Sequence, residues 1–258
     1  MSDYILHATP PEAPPPAPVR FPDLRAEWRI VRETIRLSWS LPRLARAPRG
    51  EGEPVLLIPG FQAPEVSMQP LRRLLRARGY DAQHWGLGTN RGDVEGYVET
   101  LAPRLQQLAH AHPGTRVALV GWSLGGVIAR ELAREHPGLL STVVTYGSPV
   151  VGGPVYTAAA RAYSDEERQR IRALVSDRDT LHPIRTPIAA IFSRGDTIVS
   201  WPACIDRVNA EVTHFEVRST HFSMGLDPTV WEIVLERLAE ARAAGPQPSR
   251  VTAGHSCT

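Results

Sequence analysis

Apolar positions follow two patterns along the chain. From Pro54 onward, short apolar runs alternate with longer segments in which apolar residues recur every three or four positions. The short runs predict six strands, at 55–58, 82–85, 116–120, 142–146, 188–192 and 213–217. The longer segments predict helices at 68–78, 94–111, 124–135 and 228–243. Runs that are apolar at every position, such as 117–120, are typical of a parallel sheet covered on both faces, so the pattern predicts an α/β domain.

Three segments depart from this alternation. Residues 9–18 are mostly proline and alanine, so we expect residues 1–22 to form a disordered tether. Residues 245–258 are polar and are expected to form a disordered tail, which leaves 50–244 as the folded domain. A polar, helix-like stretch at 164–176 predicts that residues 150–186 form a small cap inserted above the strand ends.

The pattern of residues in the segment 23–49 predicts an additional, basic helix, which spans residues 23–47. Apolar side chains recur on one stripe of it, at Trp28, Val31, Ile35 and Trp39. Such a stripe suits packing on the folded domain, a membrane surface or a partner helix. Packing on the domain is favoured, because two tryptophans on one stripe suit a core contact.

Charge and composition exclude several classes of protein. The net charge of the 258 residues is only +2, which gives no basis for predicting a nucleic-acid partner. Residues 20–49 hold eight arginines and three acidic residues, so positive charge is concentrated there. The chain contains no lysine, which excludes P-loop, protein kinase and pyridoxal phosphate chemistry, because each needs an amine at its centre.

The cysteines and the apolar runs bear on location. Cys204 and Cys257 are too few for a secreted disulfide framework, and no Cys/His spacing of metal-binding type surrounds them. The N-terminal residues contain no signal-peptide pattern, and no apolar run approaches the ~18 residues of a membrane span. A cytoplasmic location and a site without metal are the expectations.

The strongest candidate for chemistry is Ser123, in the run Gly-Trp-Ser-Leu-Gly at 121–125. A predicted strand precedes this run and a predicted helix follows it, which is the context in which G-x-S-x-G indicates a nucleophile. The glycines allow close packing of the turn, and the helix N-terminus directs N–H groups toward a developing oxyanion. The alternative is a structural glycine turn with a surface serine.

The oxyanion donors and the acid follow from chain order. The N–H of Leu124, after the serine, and that of Phe61, after the first predicted strand of the domain, are the expected oxyanion donors. In hydrolases with this motif the acid and then the histidine follow the serine in the chain. Asp196 comes just past a predicted strand, whereas Asp165, Asp177 and Asp179 fall in the polar insertion.

The base is predicted to be His221, which follows the last strand and precedes the final helix. His214 lies within that strand and is committed to a sheet face, and His182 precedes the acid and breaks the order. His110 and His112 end a helix and are expected to cap it. The glycine-rich run at 86–92 does not fit a dinucleotide loop and is interpreted as a rim loop of the active site.

With these motifs the chain resembles the α/β-hydrolase superfamily, specifically its bacterial esterase/lipase branch. The resemblance covers about residues 53–242 and rests on five runs, at 58–61, 121–126, 146–149, 196–199 and 219–221. It implies a minimal, mostly parallel sheet of about six strands with helices on both faces. The usual His-Gly of the oxyanion loop is Pro-Gly here, and the N-terminal antiparallel strand pair of the full fold is expected to be absent.

The resemblance implies hydrolysis of a small-molecule ester or lipid by a Ser–Asp–His triad through an acyl-enzyme, with no cofactor. Gln62, Trp122 and Asn90 are expected to line the substrate site. Thioesterase, lactonase and amidase activity stay open, because the fold does not decide among them. A binding module without catalysis is the alternative from another class.

Overall fold

A seven-stranded sheet forms the centre of the structure, a computed structural model that describes residues 3–19, 23 and 25–245. The strands are β1 Ile5–His7, β2 Pro54–Ile58, β3 Asp81–His84, β4 Val117–Trp122, β5 Leu140–Tyr146, β6 Ile188–Ser193 and β7 Val212–Val217. Their order across the sheet is β1-β7-β6-β5-β4-β2-β3. Strands β2 to β7 pair in parallel, and β1 pairs antiparallel with β7 at the edge. The six predicted strands are therefore confirmed, and their bounds differ from the prediction by a residue or two.

The described residues form six α-helices beside this sheet: α1 Arg29–Leu44, α2 Gln69–Ala77, α3 Val94–Ala111, α4 Leu124–Glu135, α5 Asp165–Leu181 and α6 Pro228–Ala243. Two buried apolar clusters lie on the two faces of the sheet. One includes Leu57, Val144 and Trp231, and the other includes Leu56, Leu119 and Leu132. Adjacent residues of β2 thus point into different clusters, as the period of a strand requires. None of the helices within the described ranges is long and apolar enough to cross a membrane.

The N-terminal segment departs from the prediction. Residues 3–19 follow a defined path instead of the predicted disordered one, and β1 gives the sheet its seventh strand. The hydroxyl of Tyr4 donates to Glu236 over 2.8 Å, and Arg207 donates to the carbonyl of Pro11, also over 2.8 Å. These contacts hold the segment along the edge of the sheet. The rest of the predicted tether, and residues 246–258 of the predicted tail, lie outside the described residues.

Helix α1 packs through the face opposite to the predicted one. Its buried residues are Glu33 and Leu44, and Leu37 packs against the core between them. The predicted stripe instead faces outward: Trp28 is 75% exposed and Trp39 is 82% exposed. The prediction that this stripe packs on the domain is wrong. The contact is made instead by the smaller side chains Leu37 and Leu44 and by Glu33, whose buried carboxylate pairs with arginines.

The segment between β5 and β6 covers less of the strand ends than the predicted cap over 150–186. Two short 3₁₀ turns at 153–156 and 158–162 lie against the loop after β6, joined to it by hydrogen bonds such as that from the N–H of Ala158 to the carbonyl of Ile198 over 2.8 Å. The C-terminal half of α5 is instead tied to α4, where Arg134 donates to Asp179 over 2.6 Å. The part of the segment near the strand ends is thus the 3₁₀ region.

Candidate active site

Ser123 occupies a strained turn between β4 and α4. Its φ of 53° and ψ of −122° lie in a region that side chains other than glycine rarely adopt. Close packing enforces this turn: a Cβ added to Gly125 would lie 2.2 Å from the carbonyl oxygen of Ile58, and one added to Gly121 would lie 2.5 Å from the carbonyl oxygen of Gly125. The N–H of Ser123 also donates to the carbonyl of Tyr146 over 2.9 Å. The two glycines of the motif are therefore required by backbone contacts.

Asp196 and His221 form a buried pair after the two neighbouring strands β6 and β7. His221 Nδ1 lies 2.8 Å from Asp196 Oδ2, and both side chains are almost completely buried. The other carboxylate oxygen, Oδ1, accepts hydrogen bonds from the N–H groups of Ile198 and Val199, over 2.9 and 2.8 Å. The carboxylate is thus fixed on one side by the turn after β6 and faces the imidazole on the other.

The loop that carries His221 is held by its own side chains. Ser219 Oγ donates to Asp227, whose other oxygen accepts from the N–H of Thr229 over 2.8 Å and so caps α6. Ser223 Oγ accepts from the N–H of Thr220 over 2.8 Å. Because these groups are buried, each bond also satisfies a polar atom that water does not reach. The imidazole is therefore presented by a rigid loop.

These elements converge at the carboxyl edge of the sheet. A Cβ added to Gly147, which follows β5 with a φ of +58°, would lie 3.1 Å from His221 Nδ1 and 3.3 Å from Asp196 Oδ2. The Trp122 ring, next to the nucleophile in the chain, lies 5.7 Å from the His221 ring between centroids. The Asp196–His221 pair thus lies beside Gly147 and Trp122, the chain neighbours of Tyr146 and Ser123, and the three residues predicted as the triad lie in one region of this edge.

The predicted oxyanion loop is a tight turn over residues 60–63. The N–H of Ala63 donates to the carbonyl of Gly60 over 3.0 Å, and Gln62 has a φ of +58°, the signature of a type II turn. The hydrogen bond that closes such a turn does not involve the N–H of the second residue, which is Phe61 here. The N–H of Leu124 lies in the first turn of α4, where helical N–H groups have no partner within the helix. A Cβ on Gly60 would lie 3.2 Å from Ser123 Cβ, so the turn adjoins the serine.

Asn90 supports this turn instead of lining the substrate site. Its side chain is fully buried: Nδ2 donates to the carbonyl of Pro59 over 2.8 Å, and Oδ1 accepts from the N–H of Gly92 over 3.0 Å. The backbone carbonyl of Asn90 accepts from the N–H of Gln62 over 2.7 Å. The prediction of a substrate contact is therefore wrong for Asn90, because its amide is already used inside the protein. The run at 86–92 lies beside the turn, with Phe61 close to Gly92.

The other two predicted substrate residues remain at the site. Gln62 is exposed on the turn. The Trp122 ring lies beside both His221 and Phe222, and its Nε1 is buried without a hydrogen-bond partner among the described residues.

The rival histidines and the buried cysteine are accounted for. His214 is fully buried in β7, where its Nε2 accepts from the N–H of Asp206 over 3.0 Å, and His182 caps the C-terminus of α5. His112 caps α3, as predicted, with Nδ1 2.9 Å from the carbonyl oxygen of Leu108. Burial and the nearby Asp196 raise the pKa of the Cys204 thiol, so it stays protonated and is a poor nucleophile. Cys257 lies outside the described residues.

Sequence reasoning missed several residues that shape the site. Gly147 leaves room for the Asp–His pair, and its signal was the Tyr-Gly-Ser-Pro run, in which the glycine was not singled out. Phe222 lies beside Trp122 and His221, and Asp227 and Ser223 brace the loop. No local pattern in the sequence distinguishes these three residues, because their roles depend on contacts across the loop.

Comparison with known proteins is consistent with this geometry. A family model described as the alpha/beta hydrolase family matches residues 55–256. The putative carbamate hydrolase RutD of Pantoea ananatis (strain LMG 20103) is 26% identical to this chain over an alignment of 245 residues, and the match covers 72% of this chain and 86% of that protein.

Two solved structures share the fold. A structure from work on LipS and LipT, two metagenome-derived lipolytic enzymes, superposes on this chain with a TM-score of 0.57 at 19% identity. The match covers 76% of this chain and 96% of the other. A putative lipase from Acinetobacter baumannii AYE gives a TM-score of 0.52 at 13% identity, and the match covers 77% of this chain and 87% of the lipase chain.

Proposed function

Since this chain belongs to the alpha/beta hydrolase family, we propose that it is a serine hydrolase that cleaves carboxylic esters through Ser123, His221 and Asp196. The observation that carries the proposal is the strained backbone of Ser123 at the edge of the sheet where a buried histidine and carboxylate lie 2.8 Å apart. Strain of this kind costs about 1–3 kcal/mol and persists where function requires it. A merely structural serine has no need of it.

The pairing of His221 defines its chemical role. With Nδ1–H donated to Asp196, the proton of the neutral imidazole is on Nδ1, and Nε2 carries the free lone pair. Nε2 then takes the proton of Ser123 Oγ as that oxygen attacks the ester carbonyl. Asp196 holds the ring in this tautomer and stabilises the imidazolium that forms.

The remaining steps follow from the positions of the backbone donors. The N–H groups of Phe61 and Leu124 bind the oxyanion of the tetrahedral intermediate. His221 returns its proton to the departing alkoxide, which leaves as the alcohol and gives the Ser123 acyl-enzyme. Water, deprotonated by the same imidazole, then attacks the acyl group, and the proton returns to Ser123 Oγ as the carboxylic acid is released.

The substrate class is proposed from the surface around the serine. Phe61 is 51% exposed and Phe222 is 41% exposed, and both belong to the loops that flank the site. Exposed aromatic side chains at this position favour an apolar acyl or alkyl group over a highly charged one.

Carbamate hydrolysis is the second candidate, because the putative carbamate hydrolase RutD is similar over most of both chains. The same three residues would act, and where the C–N bond of the carbamate breaks, His221 would protonate the leaving nitrogen instead of an oxygen. The two activities thus differ in how far the rate depends on leaving-group protonation.

A fluorophosphonate probe and a substrate panel test the proposal. We expect stoichiometric labelling at Ser123, and loss of label and of nearly all activity in Ser123→Ala, with an unchanged melting temperature. Ser67→Ala, at an exposed serine near the oxyanion turn, is the matched control. Matched p-nitrophenyl esters, a thioester and a carbamate then rank the substrate classes. A folded wild-type protein that takes no label would contradict catalysis and leave a binding module.

A further inference from the structure

Helix α1 and the 3₁₀ turn 26–28 that leads into it present an apolar stripe to solvent on the side away from the sheet. Trp28, Val31, Ile35 and Trp39 are between 51% and 82% exposed. The opposite side of the helix, with Leu37 and Leu44, already packs on the core. The stripe is therefore not needed for packing α1 on the domain, and exposing two tryptophans to water is unfavourable unless something covers them.

Positive charge lies along one border of this stripe. At 3.6 residues per turn, Arg29, Arg32, Arg36 and Arg43 of α1 fall on one row between the stripe and the buried side. Arg25 lies just before the 3₁₀ turn 26–28 that leads into α1. Arg32, Arg36 and Arg43 pair with acidic residues. Within the described part of the chain, Arg25 and Arg29 have no acidic partner within salt-bridge distance. Residues 20–49 carry five net positive charges, while the whole chain carries two, so the charge of the remainder is negative.

The arginine row borders a cleft of about 830 Å³ between β1, α1 and the end of β7. Four guanidinium groups line it, those of Arg29, Arg32, Arg36 and Arg218. Asp3, Glu216 and Asp227 also line it and neutralise part of this charge. Cationic groups beside an apolar stripe match the order of a lipid surface, in which phosphate groups lie above acyl chains.

The helix begins near the catalytic edge of the sheet. A Cβ added to Gly195, one residue before Asp196, would lie 3.6 Å from a guanidinium nitrogen of Arg29. Arg218 of the cleft precedes His221 by three residues. A surface that covers α1 would therefore lie beside the loops of the candidate active site.

We propose that α1 docks on the surface of an anionic phospholipid bilayer, with Trp28, Val31, Ile35 and Trp39 at the level of the acyl boundary and the arginine row on the phosphates. Tryptophan suits this position because its ring is apolar and its N–H is polar. A second copy of the chain fits less well as the occupant, because it would bring a second segment of five net positive charges against the first. Docking is a binding property and does not depend on the proposed hydrolysis.

Cosedimentation with vesicles tests this in the Ser123→Ala chain, which leaves the lipids intact. We expect binding to vesicles of equal parts phosphatidylcholine and phosphatidylglycerol, weak binding to phosphatidylcholine alone, and release as sodium chloride is raised. Trp28→Ser with Trp39→Ser should weaken the binding at least tenfold. Arg25→Gln with Arg29→Gln should weaken it about 25-fold, since each arginine near the surface contributes roughly fivefold.

Matched controls come from other helices. Leu174→Ser with Leu181→Ser changes exposed apolar residues of α5, and Arg73→Gln with Arg76→Gln changes exposed arginines of α2. Both control pairs should bind as the parent does, and melting temperatures should confirm that every variant folds. No binding to the anionic vesicles at low salt, or equal loss in the controls and the α1 variants, would overturn the proposal. So would a dimer in ultracentrifugation that becomes a monomer when the two tryptophans are replaced.

Discussion

Asparagine at position 196 tests the proposed role of the carboxylate, because the surrounding bonds fix how its amide must lie. Asp196 Oδ1 accepts from two N–H groups, those of Ile198 and Val199. In Asp196→Asn only the amide oxygen can keep these bonds. The NH₂ group then takes the place of Oδ2, which lies 2.8 Å from His221 Nδ1.

This orientation forces the wrong tautomer of the imidazole. Two donors cannot share a hydrogen bond, so Nδ1 must become the acceptor and the proton must move to Nε2. Nε2 then has no lone pair with which to take the serine proton. Turning the amide over would restore the contact with the histidine but leave two backbone N–H groups facing an NH₂, at about 1–3 kcal/mol for each lost bond.

The expected loss in kcat is about 10³ to 10⁴, equivalent to about 4–5.5 kcal/mol of transition-state stabilisation. KM should change little, because the nearly buried carboxylate does not reach the surface that a substrate would contact. Steady-state kinetics on p-nitrophenyl acetate measure both parameters, and thermal melting shows that the variant folds. Asp177→Asn, at an exposed aspartate of α5, is the control and should behave as wild type. An Asp196→Asn enzyme that keeps more than a tenth of the wild-type kcat would refute the assignment of the acid.

Three further predictions follow from the same structure. Gly147→Ala should fold but lose at least tenfold in kcat, since its φ of +58° costs a side chain about 1–2 kcal/mol and its Cβ would press on the Asp–His pair; kinetics and melting of the variant measure this. Phe222→Ala should raise KM more for long-chain than for short-chain p-nitrophenyl esters, because the exposed ring flanks the site; equal changes for all chain lengths would contradict this role. Burial lowers the pKa of His214 to about 4 in the folded protein, whereas a histidine of the unfolded chain has a pKa of about 6.5. As the pH falls, the unfolded chain therefore takes up a proton at this residue before the folded protein does. The free energy of unfolding should therefore fall by about 3 kcal/mol between pH 6.5 and 4 through this residue, and urea titrations of His214→Gln should show a smaller fall.

Much of the fold and of the candidate site could be predicted because the signals are local. Near-continuous apolar runs such as 117–120 are typical of a covered parallel sheet, and the alternation of strands with helices located the remaining strands, including β3, which has one apolar residue. The three site residues follow strands that end at one edge, and their chain order leaves few alternatives. Asp196 and His221 could therefore be paired before any distance was known.

The N-terminal region could not be predicted, for two physical reasons. Strand β1 has only three residues, and its pairing with β7 across 200 residues of chain has no local signal. Helix α1 has two faces that could pack, and the more hydrophobic one is exposed. The buried face depends on Glu33, whose burial is tolerated because Arg32 and Arg36 pair with it. That compensation can be recognised only when the helix is seen in place.

Asp227 links the surface helix to the loop that holds His221, and its contacts show how far the two depend on each other. Its bonds to Ser219 and to the N–H of Thr229 lie within the loop and the first turn of α6. Arg36 of α1 approaches it only to 3.8 Å, too far for a hydrogen bond. The loop thus keeps its own hydrogen bonds without α1, and the link between them is electrostatic. Because the Trp28 and Trp39 side chains are largely exposed whereas Asp227 is buried, replacing the two tryptophans should leave hydrolysis of short soluble esters unchanged.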